Sequence, residues 1–184
     1  SPCFKIKENA ELADSNYLRL SVEKYGGMLC STWTDRPLSV AGRVVVKNEN
    51  EIEVKLFDLE EPCAIIPNIA IHMNRQANDG MSYNAAVDML PLFGGEEAKG
   101  SFRARVAEKA GVEEKNILAA DLFLYNPQEC VEWSGFVSAP RLDDLQCAWG
   151  CLQGFLNASE SGSVPMYCLF DSEEGGSRPV SGAA

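Results

Sequence analysis

The sequence predicts a mixed architecture, in which a β-rich module with one or two helices is set between pieces of an α/β domain. Three observations lead there. Between about residues 10 and 130, short alternating apolar runs are separated by turn signals, the pattern of strands and hairpins. From Phe136 onward the order becomes strand, helix, strand, as in an α/β layer. The last apolar run, Met166–Phe170, reads as a buried strand that ends in carboxylates and then glycines, a place where α/β proteins carry catalytic and metal-binding groups.

The elements follow in order. Cys3–Lys7 alternates and reads as a short strand, Asn9–Asn16 as a polar connection, and Tyr17–Glu23 as a second strand before a Gly26-Gly27 turn. Asp35-Arg36-Pro37 signals a turn. Val40–Lys47 and Glu51–Leu56 form the clearest hairpin, joined by Asn48-Glu49-Asn50. Ala64–Ile71 contains Pro67, so a strand there is broken or at an edge. Met89–Phe93 is an apolar run that breaks at Gly94-Gly95. Phe102, Val106 and Ala110 lie at helical spacing, with Gly111 as the stop. Ile117–Tyr125 reads as a strand. Leu145, Trp149, Leu152, Phe155 and Leu156 define a helix from about Asp143 to Leu156, and Ser159–Ser163 is a polar loop.

Composition narrows the function classes. A chain of 184 residues is one domain by default, with room for a second small one, and 46% apolar with 23% charged residues supports a sizeable core. The formal net charge of −11 argues against nucleic acid and against an anionic membrane as partners. No signal peptide or membrane-spanning run is visible. Seven cysteines (3, 30, 63, 130, 147, 151 and 168) are scattered without a Cys-x-x-Cys pair. They read as buried reduced thiols of a cytoplasmic protein, with Cys147 and Cys151 as core-packing residues of the second helix. The chain starts without Met and stops abruptly, so a piece of a longer chain is expected.

Two acidic groups invite chemistry. Asp143 and Asp144 stand at a helix start, where the simple role is capping. Asp171, Glu173 and Glu174 follow the last apolar run, where the simple reading is a solvated acidic loop. Neighbouring side chains on extended backbone point apart, so one glutamate could hold a metal while the other reaches a water. Five carboxylates at two element ends repel one another unless a cation is present. Zinc takes Asp, Glu and His ligands, and a further carboxylate that does not ligate can take the proton from water. His72 is the single histidine; in its apolar stretch the plain reading is a hydrogen-bonded structural residue.

Four blocks, in order and with compatible spacing, resemble those of the aspartyl aminopeptidase family of dizinc metallopeptidases. They are Thr34–Val44 (TDRPLSVAGRV), Ile66–Arg75 (IPNIAIHMNR), Ala139–Leu145 (APRLDDL) and Phe170–Glu174 (FDSEE), which together span nearly the entire chain. The resemblance implies a zinc exopeptidase fold of the phosphorylase/hydrolase-like α/β type. Residues 1–9 and 136–184 would be catalytic-domain fragments, and residues 10–135 an inserted β-rich domain for dimerisation and assembly. It implies two zinc ions, bridged by Asp143, with Glu174 as a ligand of one and Glu173 as the general base. It also implies that His72 reaches the active site of a neighbouring subunit to bind substrate or the oxyanion. The substrate would be a peptide trimmed at its N-terminus, and the partner a second copy of the chain. Gly175 departs from the Val usual in the family after the paired glutamates. The family's first zinc histidine would precede Ser1, and its remaining Asp and His ligands would follow Ala184. The segment alone is therefore expected to lack peptidase activity. The alternative is a non-catalytic oligomerisation or binding module.

Overall fold

Leu38, Val40, Val44 and Val46 alternate along one strand and are all fully buried, with Gly42 at the remaining inward position. This strand organises the larger of two units in the computed structural model. The structure describes residues 1–49, 51–159 and 162–175. The chain divides into a barrel unit (residues 3–24 and 28–127) and a terminal unit (residues 1–2, 25–27 and 128–184).

The barrel unit contains β1 (Cys3–Ala13), β2 (Tyr17–Tyr25, whose last residue belongs to the terminal unit), β3 (Pro37–Lys47), β4 (Ile52–Asp58), β5 (Ala64–Ile65), β6 (Leu92–Gly95), α1 (Phe102–Ala110) and β7 (Ile117–Tyr125). The sheet order is β4-β3-β5-β6-β2-β1-β7, and β7 also pairs with β3. That second pairing closes β3, β5, β6, β2, β1 and β7 into a six-stranded barrel, with β4 as a flap on β3. Closure removes exposed edges. β3 is long enough to do this because it uses both edges. Ser39–Val46 ladders antiparallel with β7 on one side, while Ala41–Lys47 pairs with β4 and Pro37–Leu38 with β5 on the other.

The expected hairpin is β3–β4, in register Lys47↔Ile52 and closed by the Asn48 N–H to the Glu51 carbonyl at 2.9 Å. Asn50 of its turn lies outside the described residues. The expected strand over Ile117–Tyr125 and the helix ended by Gly111 both form. Gly111 adopts φ +66°, and its N–H bonds back to the Glu108 carbonyl. α1 buries Phe102, Val106 and Ala107, with Phe102 edge-to-face on Phe93 at 5.4 Å. Its first turn is capped from β1: the Glu11 carboxylate accepts the N–H groups of Gly100 (2.7 Å) and Phe102 (2.9 Å). Glu11 lies in the stretch expected to be a connection. The strand instead runs on to Ala13, and its first residues pair with β7 inside the barrel (Phe4↔Leu124).

The terminal unit contains a hairpin, β8 (Val131–Trp133) with β9 (Phe136–Ser138), then α2 (Leu142–Leu156). The helix has the expected bounds, but its apolar stripe is exposed. Trp149 is 63% and Leu145 53% accessible, and no residue of α2 is buried. Met166–Phe170 is not a strand and is not buried, contrary to the sequence reading. Its backbone has no ladder partner among the described residues, and a lone strand cannot satisfy its own peptide groups. The segment is tied to α2 instead, by the Tyr167 hydroxyl donating to the Ala148 carbonyl (2.9 Å) and by Tyr167 against Phe155. Of the expected loop Ser159–Ser163 and the glycine turn, Glu160, Ser161 and Gly176 lie outside the described residues.

The cysteines are free thiols as expected, but not all buried. Cys3, Cys30 and Cys63 are half-buried, and burial pushes the Cys63 thiol up to about 11. Cys130, Cys147, Cys151 and Cys168 are exposed. Cys147 and Cys151 ride on the uncovered helix and Cys168 on the unpaired segment, so none has a core to enter. No helix among the described residues is long and apolar enough to cross a membrane.

Two predictions test the closure. A Cβ at Gly42 would overlap the Asp121 carbonyl oxygen of β7. Gly42→Ala is expected to cost roughly 2–4 kcal/mol in a urea melt, because backbone on both sides must shift. Beside it, the Lys5 ammonium (2.6 Å) and the Arg43 guanidinium (2.9 Å) flank the Asp121 carboxylate. Lys5 foremost, then Arg43, holds that carboxyl below its ordinary range against partial burial. A folded pKa below the unfolded value gives stability that is complete above about pH 4 and fades as pH falls through the lower value. Asp121→Asn should therefore lose up to about 1 kcal/mol at neutral pH and show a shallower acid limb, measured as melting temperature against pH.

Candidate metal centre

The site lies in the terminal unit and is built by two chain reversals. The first is the entry to α2. Asp143 has ψ 119°, outside the helical range, so regular helical geometry begins after it. The second is the turn that follows Phe170. Ser172 takes φ +60°, its N–H donates to the Asp171 carboxylate (2.8 Å), and Glu173–Gly175 form one tight turn closed by the Gly175 N–H to the Ser172 carbonyl (3.1 Å). Asp171 is thereby engaged in its own turn.

The carboxylates of Asp144, Glu173 and Glu174 converge here, with one oxygen of each lying within 4.8 Å of the others. The expectation that Glu173 and Glu174 must point apart fails, because the backbone is a tight turn and not extended. Asp144 and Glu174 are partly buried, while Glu173 is open to solvent. Glu174 is held most closely. Its backbone N–H donates to the Tyr25 hydroxyl (3.1 Å), and its side chain lies directly against Gly26. Glu174 Oε1 is buried and makes no hydrogen bond, although the Ser1 amino group lies 3.5 Å away. That amino group bonds to both oxygens of Asp144, at 3.1 and 3.2 Å.

Of the five carboxylates singled out from sequence, Asp144, Glu173 and Glu174 are in the cluster; Asp143, the residue expected to bridge two zinc ions, is exposed and outside it. His72 belongs to the barrel unit, on a turn of the long loop between β5 and β6, and is exposed together with Ile69, Ile71 and Met73. Tyr25 and Gly26 carry no sequence signal beyond a strand end and a turn. The partner of Tyr25 lies 149 residues away, so no local pattern reveals it. The one available signal is the pair of glycines, which permits a close approach.

Three convergent carboxylates with a buried oxygen lacking a hydrogen bond fit a divalent cation. As hard oxygen donors they match the carboxylate portion of a zinc site. No histidine belongs to this group among the described residues.

The comparisons with known proteins agree on one family. The family described as aminopeptidase I zinc metalloprotease (M18) matches residues 1–184. A probable M18 family aminopeptidase 2 of Clostridium novyi (strain NT) is 41% identical over 100% of this chain and 45% of that protein. The chain thus spans about half the length of the curated relatives it matches. Among solved structures, mApe1 of Chaetomium thermophilum superposes with a TM-score of 0.80 at 30% identity, covering 100% of this chain and 46% of that one. The mApe1 of S. cerevisiae, solved as a dodecamer, gives a TM-score of 0.64 at 28% identity, over 84% of this chain and 36% of that one.

Proposed function

This chain belongs to the aminopeptidase I (M18) family of zinc metalloproteases, and on that premise we propose that it forms the central part of an aminopeptidase that trims peptides from the N-terminus. One observation carries the reading: one oxygen each of Asp144, Glu173 and Glu174 lies within 4.8 Å of the others, and Glu174 itself holds a buried oxygen that makes no hydrogen bond. The resemblance to aspartyl aminopeptidases supplies the finer roles. By that resemblance Glu174 and Asp143 would hold zinc, and Asp144, the next residue, is the one that lies in the cluster here. Zinc, when bound, supplies the Lewis acidity that makes water a nucleophile near neutral pH.

The chain's own residues do the rest. Glu173 is the most exposed of the three, so its carboxylate is free to take a proton from the attacking water and return it to the departing amine. His72, exposed on its loop, donates to the developing oxyanion in a neighbouring subunit. Residues 136–184 belong to the α/β catalytic domain, and its remaining parts cover the apolar faces of α2 and of Met166–Phe170. The free thiols support a cytoplasmic setting.

A second reading, an assembly module, is favoured by a different feature. The outward face of β4 exposes Ile52, Val54 and Leu56, the last at 81%. A contiguous apolar strand face of this kind suits a copy of the chain. The two readings are compatible in a longer enzyme, whose relative mApe1 assembles as a dodecamer. They differ for this chain alone, which we expect to self-associate on a sizing column with or without chelator and to show no peptidase activity. A metal-dependent peptidase activity of the isolated chain would overturn that.

In the full-length protein, Glu173→Gln should keep its zinc and lose about 10²–10⁴-fold in kcat. His72→Ala should lower kcat by roughly 10²–10³-fold at unchanged zinc content. Retained activity in Glu173→Gln, or activity indifferent to a zinc chelator, would sink the peptidase assignment.

A further inference from the structure

We propose that Tyr25 and Gly26 are positioning residues that set the aim of Glu174. The inference rests on the reading of Glu174 as a metal ligand. Two independent geometric facts support it. The Tyr25 hydroxyl accepts the backbone N–H of Glu174 at 3.1 Å and so fixes where this residue starts. The side chain then lies flat on Gly26. A Cβ added there would sit 2.7 Å from Glu174 Oε2 and 2.8 Å from its Cβ, closer than atoms pack. Gly26 also adopts φ +80°, a conformation that glycine takes without steric cost. The result is a carboxylate with its start pinned by one residue and its flank set by the next.

The consequence is chemical. Glu174 sits in a tight turn of three residues, which by itself leaves several rotamers open to a long side chain. The rotamer it adopts brings an oxygen within 4.8 Å of an Asp144 oxygen, so the two can share a cation, with Glu173 beside them as the base. Gly26 supplies the floor against which that rotamer lies, and any larger residue removes it. At Gly27, the next residue, a Cβ would meet no atom within 4 Å beyond its chain neighbours, so the requirement is local to one glycine.

The test is zinc affinity of the full-length protein, measured by competition with a chromophoric chelator, alongside the melting temperature of the zinc-free protein. Glu174→Gln is the reference. Tyr25→Phe should weaken zinc about tenfold and Gly26→Ala on the order of 100-fold, the range expected for partners that orient a ligand. Gly27→Ala should stay within about twofold of the parent, since it touches no ligand. The zinc-free melting temperature of Tyr25→Phe should not move, which a merely structural role would not allow. If Gly26→Ala fails to fold, Tyr25→Phe still decides. If Glu174→Gln weakens zinc but Tyr25→Phe and Gly26→Ala do not, the positioning role is wrong. Equal losses in Gly27→Ala, or a zinc-free melting temperature that falls in Tyr25→Phe, overturn it as well. If Glu174→Gln itself leaves zinc affinity unchanged, the metal-site reading fails first.

Discussion

The barrel depends on β3 and β7 meeting across a backbone with no side chain between them. Along this ladder Gly42 faces Leu122, and Arg43 faces Asp121. The inward position at Gly42 is empty so that the Asp121 carbonyl can come close. The other ladders complete the ring. β1 pairs with the same β7, β2 with β6, and β5 links β6 back to β3. Without the closure, the apolar faces of Phe4, Leu20 and Leu124 would form one side of an open sheet instead of an enclosed core.

The candidate metal centre follows the opposite logic. Here like charges are gathered, not spread. Carboxylates less than about 5 Å apart repel by roughly 1–4 kcal/mol per pair, depending on how far water screens them. The tight turn after Ser172 and the break at Asp143 are local backbone features that hold the charges together regardless. The Ser1 amino group lies against two of them, and a divalent cation would offset the remaining repulsion.

What can be read from sequence divides along the same line. The β3–β4 hairpin, α1 with its Gly111 stop, and β7 are all legible, because each is specified by the periodicity and turn chemistry of its own residues. α2 is legible in extent but not in burial: Leu145 and Trp149 obey helical spacing, yet nothing in spacing says what covers them. Met166–Phe170 misleads for a related reason, since a strand is a property of its neighbours as much as of itself. At the site, Glu173 and Glu174 stand out by chemistry. Asp144 stands out too, as one of the acidic pair at the helix start, but that it and not Asp143 joins the cluster, and the support from Tyr25 and Gly26, depend on contacts between residues far apart in the chain.

The Glu11 carboxylate that caps α1 has a bearing on how the barrel assembles. The Ser101 side chain offers the helix no cap of its own, and Glu11 waits some ninety residues upstream on β1. The start of the helix is therefore fixed only after the intervening chain has closed back on β1. Helix and barrel should accordingly gain their full order in one late, cooperative event, slower than the helix alone would need.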